Sequence, residues 1–257
     1  MPPQFVSLGP FTLNTYTFLI ALAALASLAW AWFYARDAGI FAVALLLAFG
    51  ALVGGRAVYV ALHWDYFHEH AHEIVSLAGL SEHGAILGGA IACYASRITH
   101  RPSPAQLSIF NSQFSILNSQ FFILLAIAAS IGCIPNGCAY GREVFWQTDG
   151  ADSLAWWLRA DWPDAYLVNN PRWPTQAFMA LWLAITGALM WAGACLRRAP
   201  LAFLPLLIVS FAIGDFLIQF LRGDSALMVA GLRIYQWFDL ALALLAAVAI
   251  ILRRKIR

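Results

Sequence analysis

Seven apolar runs recur along the chain, and most are long enough to cross a bilayer. A hydrocarbon core of about 30 Å takes roughly 20 residues at ~1.5 Å each. The runs fall at about Leu13–Ala35, Ile40–His63, Gly84–Ser96, Phe114–Cys133, Pro174–Leu196, Leu201–Leu221 and Tyr235–Leu252. The third is short and is expected to extend back through Leu77. Of the 257 residues, 62% are hydrophobic and only 11% charged, where a soluble domain carries about 25%. The expected architecture is therefore all-α. It is a polytopic bundle of about seven transmembrane helices in a single integral membrane domain, residues 1–257, with a large loop at about 136–173. There is no basic stripe and no nucleic-acid motif, so nucleic acid is excluded as a partner. Residues Met1 to Gly9 lack the basic region of a cleavable signal, so the first run is expected to be kept as a helix.

Orientation follows from where the cations fall, because Lys and Arg near helix ends stay in the cytoplasm. Arg36, Arg97, Arg101, Arg197, Arg198, Arg253, Arg254, Lys255 and Arg257 all lie on one side if the runs alternate. Asp65, Glu69, Glu73, Glu143, Asp149, Asp152, Asp161 and Asp164 lie on the other. The expected N-terminus is outside and the C-terminus cytoplasmic.

One segment breaks the apolar pattern. Ile131-Gly-Cys-Ile-Pro-Asn-Gly-Cys-Ala-Tyr-Gly-Arg142 places three glycines, a proline, an Asn and an Arg at the end of the run Phe121–Ala129. Backbone that leaves helical geometry at membrane depth survives only when protein buries it or when it lines a cavity. Beyond it, the loop carries Trp146, Trp156, Trp157, Trp162 and Trp173. It reads as an aromatic belt at the headgroup level, with a rim over a substrate opening as the sharper alternative. Cys133 and Cys138, five residues apart across Pro-Asn-Gly, permit a disulfide on an oxidising face, the less favoured of two readings. Cys93 and Cys195 read as small core residues.

Arg56 follows Gly54-Gly55 inside the second run. A membrane arginine needs a partner, and the glycines allow another helix close. Pairing with Asp215 is favoured over contact with a phosphate. The stretch 107–122 repeats a seven-residue unit nearly twice and is assigned no function. His68-Glu69-His70-Ala71-His72 matches H-E-x-x-H. It lies in a short outside loop rather than a long helix, so it reads as a polar loop titrating near about pH 6–7, with a membrane metallopeptidase as the lesser alternative.

Five segments in order carry a family resemblance: Gly9–Tyr16, His83–Gly89, Ile131–Arg142, Pro174-Thr-Gln176, and Phe216–Asp224 followed by Tyr235-Gln236-Trp237. Together they resemble the bacterial prolipoprotein diacylglyceryl transferases across nearly the whole chain. The resemblance implies transfer of a diacylglyceryl group from phosphatidylglycerol to the lipobox cysteine of a prolipoprotein signal peptide. It also implies a site in the bacterial cytoplasmic (inner) membrane, contact with membrane lipids, and no cofactor. A thiol with pKa ~8.5 needs a base, and a departing phosphate in a low-dielectric site needs guanidinium groups. On this resemblance His83 is the base and Arg222 the phosphate clamp, both catalytic. Tyr16, Arg56, Asn136, Gly137, Gly141, Arg142 and Gln236 bind substrate.

The chain departs from the family at named places. Ser130 stands where the family has a phosphate-binding Arg, Cys133 where it has an Asn, and Ala85 where it has the second Gly of His-Gly-Gly. Phe178-Met179 replaces Tyr-Glu, and Gln219 replaces a Glu. A lost guanidinium removes roughly 1.5–3 kcal/mol of charge-assisted contact. A non-catalytic relative that binds anionic lipid or a lipoprotein precursor is therefore the second reading.

Overall fold

The computed structural model describes residues 5–8, 11–35, 38–75, 79–99, 104–145, 150, 153–195 and 203–255. Arg36, Arg101, Arg197, Arg198, Arg257, Trp146, Asp149, Asp152 and the Gly9-Pro10 pair lie outside them, as do the side chains of Cys93, Arg97, Cys195, Arg253, Arg254, Lys255 and the repeat at 107–118.

The described chain is mostly helical. Its long helices are α1 Thr15–Ala35, α2 Ala38–Leu62, α3 Glu82–Thr99, α4 Pro104–Asn136, α5 Thr175–Cys195, α6 Phe203–Ile218 and α7 Ile234–Lys255. Each apolar run of the sequence falls on one of these helices. Among the described residues, three stretches are long and apolar enough to cross a membrane: Phe41–Leu62, Thr175–Gly193 and Ile234–Ile251. Thr15–Trp30, Phe122–Asn136 and Pro205–Leu221 are shorter apolar helical stretches. The outward faces are greasy: Leu45, Phe49 and Val53 on α2, Leu181, Ile185 and Leu189 on α5, and Leu240, Leu244 and Leu245 on α7 are exposed. Ser27, Ser130, Gln176, Asp215, Gln219, Gln236 and Asp239 are buried. Apolar residues outside and polar residues inside is the distribution expected when lipid is the solvent.

Two expectations of boundary are corrected. The third helix does not reach back toward Leu77; it starts at Glu82. Gly79 has φ +81°, and Ser81 Oγ accepts the Gly84 N–H at 3.2 Å, an N-cap that fixes the start. The segment after Ile131 does not leave helical geometry there; α4 runs on to Asn136 with Pro135 in its last turn.

The chain divides into two compact units, Ala24–Asn118 and a second made of Met1–Ala23 with Ser119–Arg257. In the first, α2 and α3 meet backbone to backbone. A Cβ built on Gly88 would lie 2.1 Å from the Gly50 carbonyl oxygen, and one on Gly54 would lie 2.4 Å from that of Gly84. Glycines four apart on both helices form the small-residue seam that lets membrane helices touch without side chains between them. The connection between them contains a helical turn at Trp64–Phe67 and a 3-10 turn at Ala71–Glu73. His68 caps the one and His72 lies in the other, so the H-E-x-x-H histidines do not share one helical face.

In the second unit, α5 is tied to α6 by the Trp182 indole, which donates to the Ser210 carbonyl at 2.8 Å, and by Thr186 and Ser210 hydroxyls 2.8 Å apart. Leu183, Leu207 and Phe211 are fully buried, with Phe122 edge-on to Phe211 at 5.4 Å. Among the described residues there are also three antiparallel hairpins. β1 Phe5–Leu8 pairs with β2 Phe11–Asn14, β3 Ala160–Pro163 with β4 Asn169–Arg172, and β5 Met228–Val229 with β6 Leu232–Arg233. Ala230 and Gly231 both have positive φ, 49° and 79°, as a two-residue type I′ hairpin turn requires.

The glycine seam is directly testable. Gly88→Ala should lower the unfolding midpoint in detergent by an amount equivalent to about 1–3 kcal/mol, the usual cost of overpacking. Gly89→Ala is the control, because a Cβ there would sit 3.9 Å from Ala51 Cβ, an ordinary contact. Equal midpoints for the two variants would show that the seam is not tight.

Candidate functional site

The segment that breaks the apolar pattern, Ile131–Arg142, is held by a sequence of local devices. Pro135 removes one donor from the last turn of α4. Gly137, with φ +63°, then reverses the backbone. The Gly137 N–H reaches the Ile134 carbonyl at 3.3 Å and the Cys138 N–H reaches that of Cys133 at 3.2 Å. This is the paired closure of a Schellman motif, in which a glycine takes the left-handed position. Cys133 and Cys138, the residues joined by the longer of these loops, are also joined by a disulfide. The less favoured cysteine reading is therefore the observed one, because the helix end brings the two Cα atoms to 4.8 Å.

Beyond Gly137 the backbone is satisfied by side chains and neighbouring strands. Thr175 Oγ1 donates to the Ala139 carbonyl at 2.7 Å, and Gln176 Nε2 donates to that of Cys138 at 2.8 Å. The Pro-Thr-Gln start of α5 thus serves the turn rather than standing apart from it. Residues 140–144 then run between two other segments. On one edge Gly141 bridges Arg222; the Arg142 N–H donates to Leu221 at 2.8 Å, and the Gly223 N–H donates to Tyr140 at 2.9 Å. On the other edge Glu143 bridges Arg172; Trp173 N–H donates to the Arg142 carbonyl at 3.1 Å and Val144 N–H to that of Pro171 at 2.9 Å. Gly141 admits this approach, since a Cβ there would fall 2.1 Å from the Trp173 carbonyl oxygen.

Three arginines hold the surrounding loops. Arg172, 6% exposed at its side chain, donates through Nη2 to Glu143 at 2.7 Å and Asp164 at 3.0 Å. Asp164 Oδ1 also accepts the Tyr166 and Val168 N–H groups, at 2.8 and 3.0 Å, and so shapes the β3–β4 turn. Tyr140 lies under Arg172, its ring centre 5.0 Å from Cζ. Burial, with the Asp224 and Asp164 charges adding to it, raises the Tyr140 phenol above the ordinary tyrosine value. It therefore stays neutral across the physiological range. Arg222 binds Asp224 through two N–H groups, and Arg233 binds the same carboxylate.

The residues expected from the sequence are placed as follows. Tyr16 is the second residue of α1, its N–H on Asn14 Oδ1 at 2.9 Å, and a Cβ built on Gly132 would lie 3.0 Å from its Cα. Asn136 Nδ2 donates to the Gly132 carbonyl at 2.8 Å, and its Oδ1 is buried with no partner among the described residues. Gly141, Arg142 and Arg222 come together through the strand pairing above, while Gly137 stays in the helix-end turn before it; Arg142 is exposed. Gln236 is buried and committed to the backbone, accepting the Arg233 N–H at 2.9 Å and donating to the Phe216 carbonyl at 3.2 Å. His83 and Arg56 belong to the other unit. His83 is the second residue of α3 and is buried. Arg56 donates to the carbonyls of Glu73, Ile74 and Gly79, at 2.5, 2.8 and 2.9 Å. It closes the α2–α3 connection, with Phe67 stacked 4.9 Å from Cζ. Asp215 accepts from Gln219 Nε2 at 3.0 Å, and Ser130 donates to its own helix at Ala126, 2.9 Å away.

Arg233 and the Arg172–Glu143–Asp164 group were not legible as site elements. The one signal was Ala230-Gly231, a hairpin turn that returns Arg233 to the Arg222 loop.

Long apolar helices joined by polar, arginine-bearing loops define a helical membrane protein. The family model for prolipoprotein diacylglyceryl transferase matches residues 3–252, and the chain belongs to that family, a family of membrane-bound transferases. Comparison with curated proteins gave no match.

The disulfide makes a separate prediction. Cys138→Ser, or reduction of the parent, should lower stability by about 2 kcal/mol, the low end for a bridge closing a short loop. Non-reducing mass spectrometry gives the bridge and thermal unfolding in detergent gives its worth. An unchanged midpoint on reduction would show the Schellman closure suffices alone.

Proposed function

We propose that the protein transfers a diacylglyceryl group from phosphatidylglycerol to the lipobox cysteine thiol of a prolipoprotein. The observation that carries this reading is the pairing of the Gly141-Arg142 segment with the Arg222 turn, in a chain matched to the family over residues 3–252. Two motifs distant in sequence form one backbone-satisfied surface bearing Arg142 and Arg222, a fitting place for a phosphate. In the reaction His83 takes the thiol proton. The thiolate sulfur attacks the terminal glyceryl carbon, a C–S bond forms, and the C–O bond to phosphate breaks. Glycerol phosphate leaves with the electron pair, its charge held by Arg222. Tyr16, Asn136, Gly137 and Gly141 line the headgroup side in this reading, with Gln236 fixing the Arg233 backbone and Arg56 the loop before His83.

The seven long helices are the spans of the bundle, with the N-terminus outside, the C-terminus cytoplasmic and the protein in the bacterial cytoplasmic membrane. The second reading, a non-catalytic lipid-binding relative, is favoured by Ser130, whose hydroxyl is spent on Ala126 and offers no charge.

The deciding test is complementation of a strain depleted of its own transferase, followed by transfer assays with phosphatidylglycerol and a lipobox peptide. His83→Ala and Arg222→Ala should each slow transfer by a hundredfold or so, as loss of a base or charge clamp does. Parent-like rates in either variant would remove that residue from the mechanism. A parent that transfers nothing would leave the non-catalytic reading. For topology, a reporter fused within 153–172 should signal from the periplasm; a cytoplasmic signal would invert the orientation.

A further inference from the structure

Residues 138–144 run antiparallel to residues 171–176, and the pairing changes character part-way. Val144 N–H donates to the Pro171 carbonyl, Glu143 bridges Arg172, and Trp173 N–H donates to the Arg142 carbonyl. Backbone pairing ends there, because Pro174 has no N–H to give and the chain enters α5 at Thr175. Two side chains carry the pairing on. Thr175 Oγ1 donates to the Ala139 carbonyl at 2.7 Å, and Gln176 Nε2 donates to that of Cys138 at 2.8 Å. Thr175 Oγ1 also lies 3.3 Å from Gln176 Oε1, which ties the two side chains to each other. Both residues are buried, at 2% and 3% exposed. A threonine at a helix start ordinarily caps its own helix; this one serves a carbonyl 36 residues away.

What the pair holds is a strained residue. Ala139 has φ +54°, in the left-handed region that an L side chain adopts at a cost and glycine adopts freely. Such a conformation persists only where its surroundings over-determine it. Here two buried hydrogen bonds do so, with the Cys133–Cys138 disulfide fixing the residue before. Relaxation of Ala139 to negative φ would swing the next residues out of register. Those residues are Gly141, which bridges Arg222, and Arg142, whose N–H donates to Leu221.

We propose that Thr175 and Gln176 are positioning residues for the transfer reaction. Through the carbonyls of Ala139 and Cys138 they keep Ala139 left-handed, and so set the Gly141-Arg142 segment against the Arg222 turn. Both act through the backbone of the turn rather than on the lipid or the thiol. The inference rests on the reading of the Arg142–Arg222 surface as the transfer site, and adds to it the start of α5 as the part that aims it.

Two measurements on the purified full chain in detergent keep this inference separate from the reading beneath it. The first is hydrogen–deuterium exchange, followed at peptides covering 140–145 and 219–224. Thr175→Val and Gln176→Met keep the shape and lose the donor, and each should speed exchange at both peptides by about tenfold, as loss of one buried hydrogen bond does. Thr175→Ser should stay parent-like. Ala139→Gly removes the left-handed cost and should restore most of the protection that Thr175→Val loses. Thr186→Val breaks a hydroxyl contact further along α5 and is the control, expected to leave both peptides unchanged. The second measurement is transfer from phosphatidylglycerol to a lipobox peptide. Thr175→Val should lower kcat/KM for the lipid about tenfold and leave the KM for the peptide as in the parent, and adding Ala139→Gly should recover the loss. Parent-like exchange in both donor-less variants overturns the proposal. So does faster exchange with parent-like transfer, which would make the pair a structural tie alone, and so does a loss that Ala139→Gly fails to rescue. If Thr175→Val does not fold, Gln176→Met with and without Ala139→Gly decides by the same two readouts. A parent that transfers nothing overturns the transferase reading, and the exchange pattern then still decides whether the pair holds the turn.

Discussion

Every buried peptide group must find its hydrogen bond inside the protein, and the residues after Gly137 are where this constraint is hardest to meet. Helices meet it by themselves. A strand-like segment meets it only if both edges are covered. Here the cover comes from far along the chain: the Arg222 turn on one edge, Pro171–Trp173 on the other, and Thr175 and Gln176 side chains at the turn. The same hydrogen bonds that keep the segment from being an exposed polar edge also set Arg142 beside Arg222. Stability and site geometry are consequences of one requirement.

The charges obey a related rule. An ion in low dielectric is stable only when its field is answered at short range. Arg172 is answered by two carboxylates, Arg56 by three carbonyls, and Asp224 by two guanidiniums. The first two groups bind elements of the fold to each other. The third ties the Arg222 turn and the β5–β6 hairpin to one carboxylate.

Much of this was legible in the residues. Apolar runs gave the long helices because a bilayer imposes a length, and the Gly-rich break at Ile131–Arg142 marked the unusual backbone because glycine and proline have few other uses there. The family pattern, spread over five segments, named the motifs that the structure ties together. Helix ends were harder. The extension of α4 to Asn136 was hidden because Pro135 and Gly137 both read as breakers, while only Gly137 ends the helix. The start of α3 at Glu82 depended on a Ser81 cap inside a polar stretch with several equally good cap residues. Least legible were the partners. Three bonds of Arg56 go to loop carbonyls, which every residue carries and no motif announces. The two residues across β5–β6 that bring Arg233 to Asp224 are separated from Arg222 by a turn whose chemistry is local, so only three-dimensional proximity exposes their joint charge.

The seam between α2 and α3 has a mechanical meaning. Where helices touch through side chains, rotamers can yield and the helices slide; where Gly50 and Gly54 meet Gly84 and Gly88 main chain to main chain, nothing soft lies between them. The two helices are therefore coupled as one stiff lever, and His83, in the first turn of α3, rides on it. Any motion of one of these helices carries the other, and the imidazole travels with both.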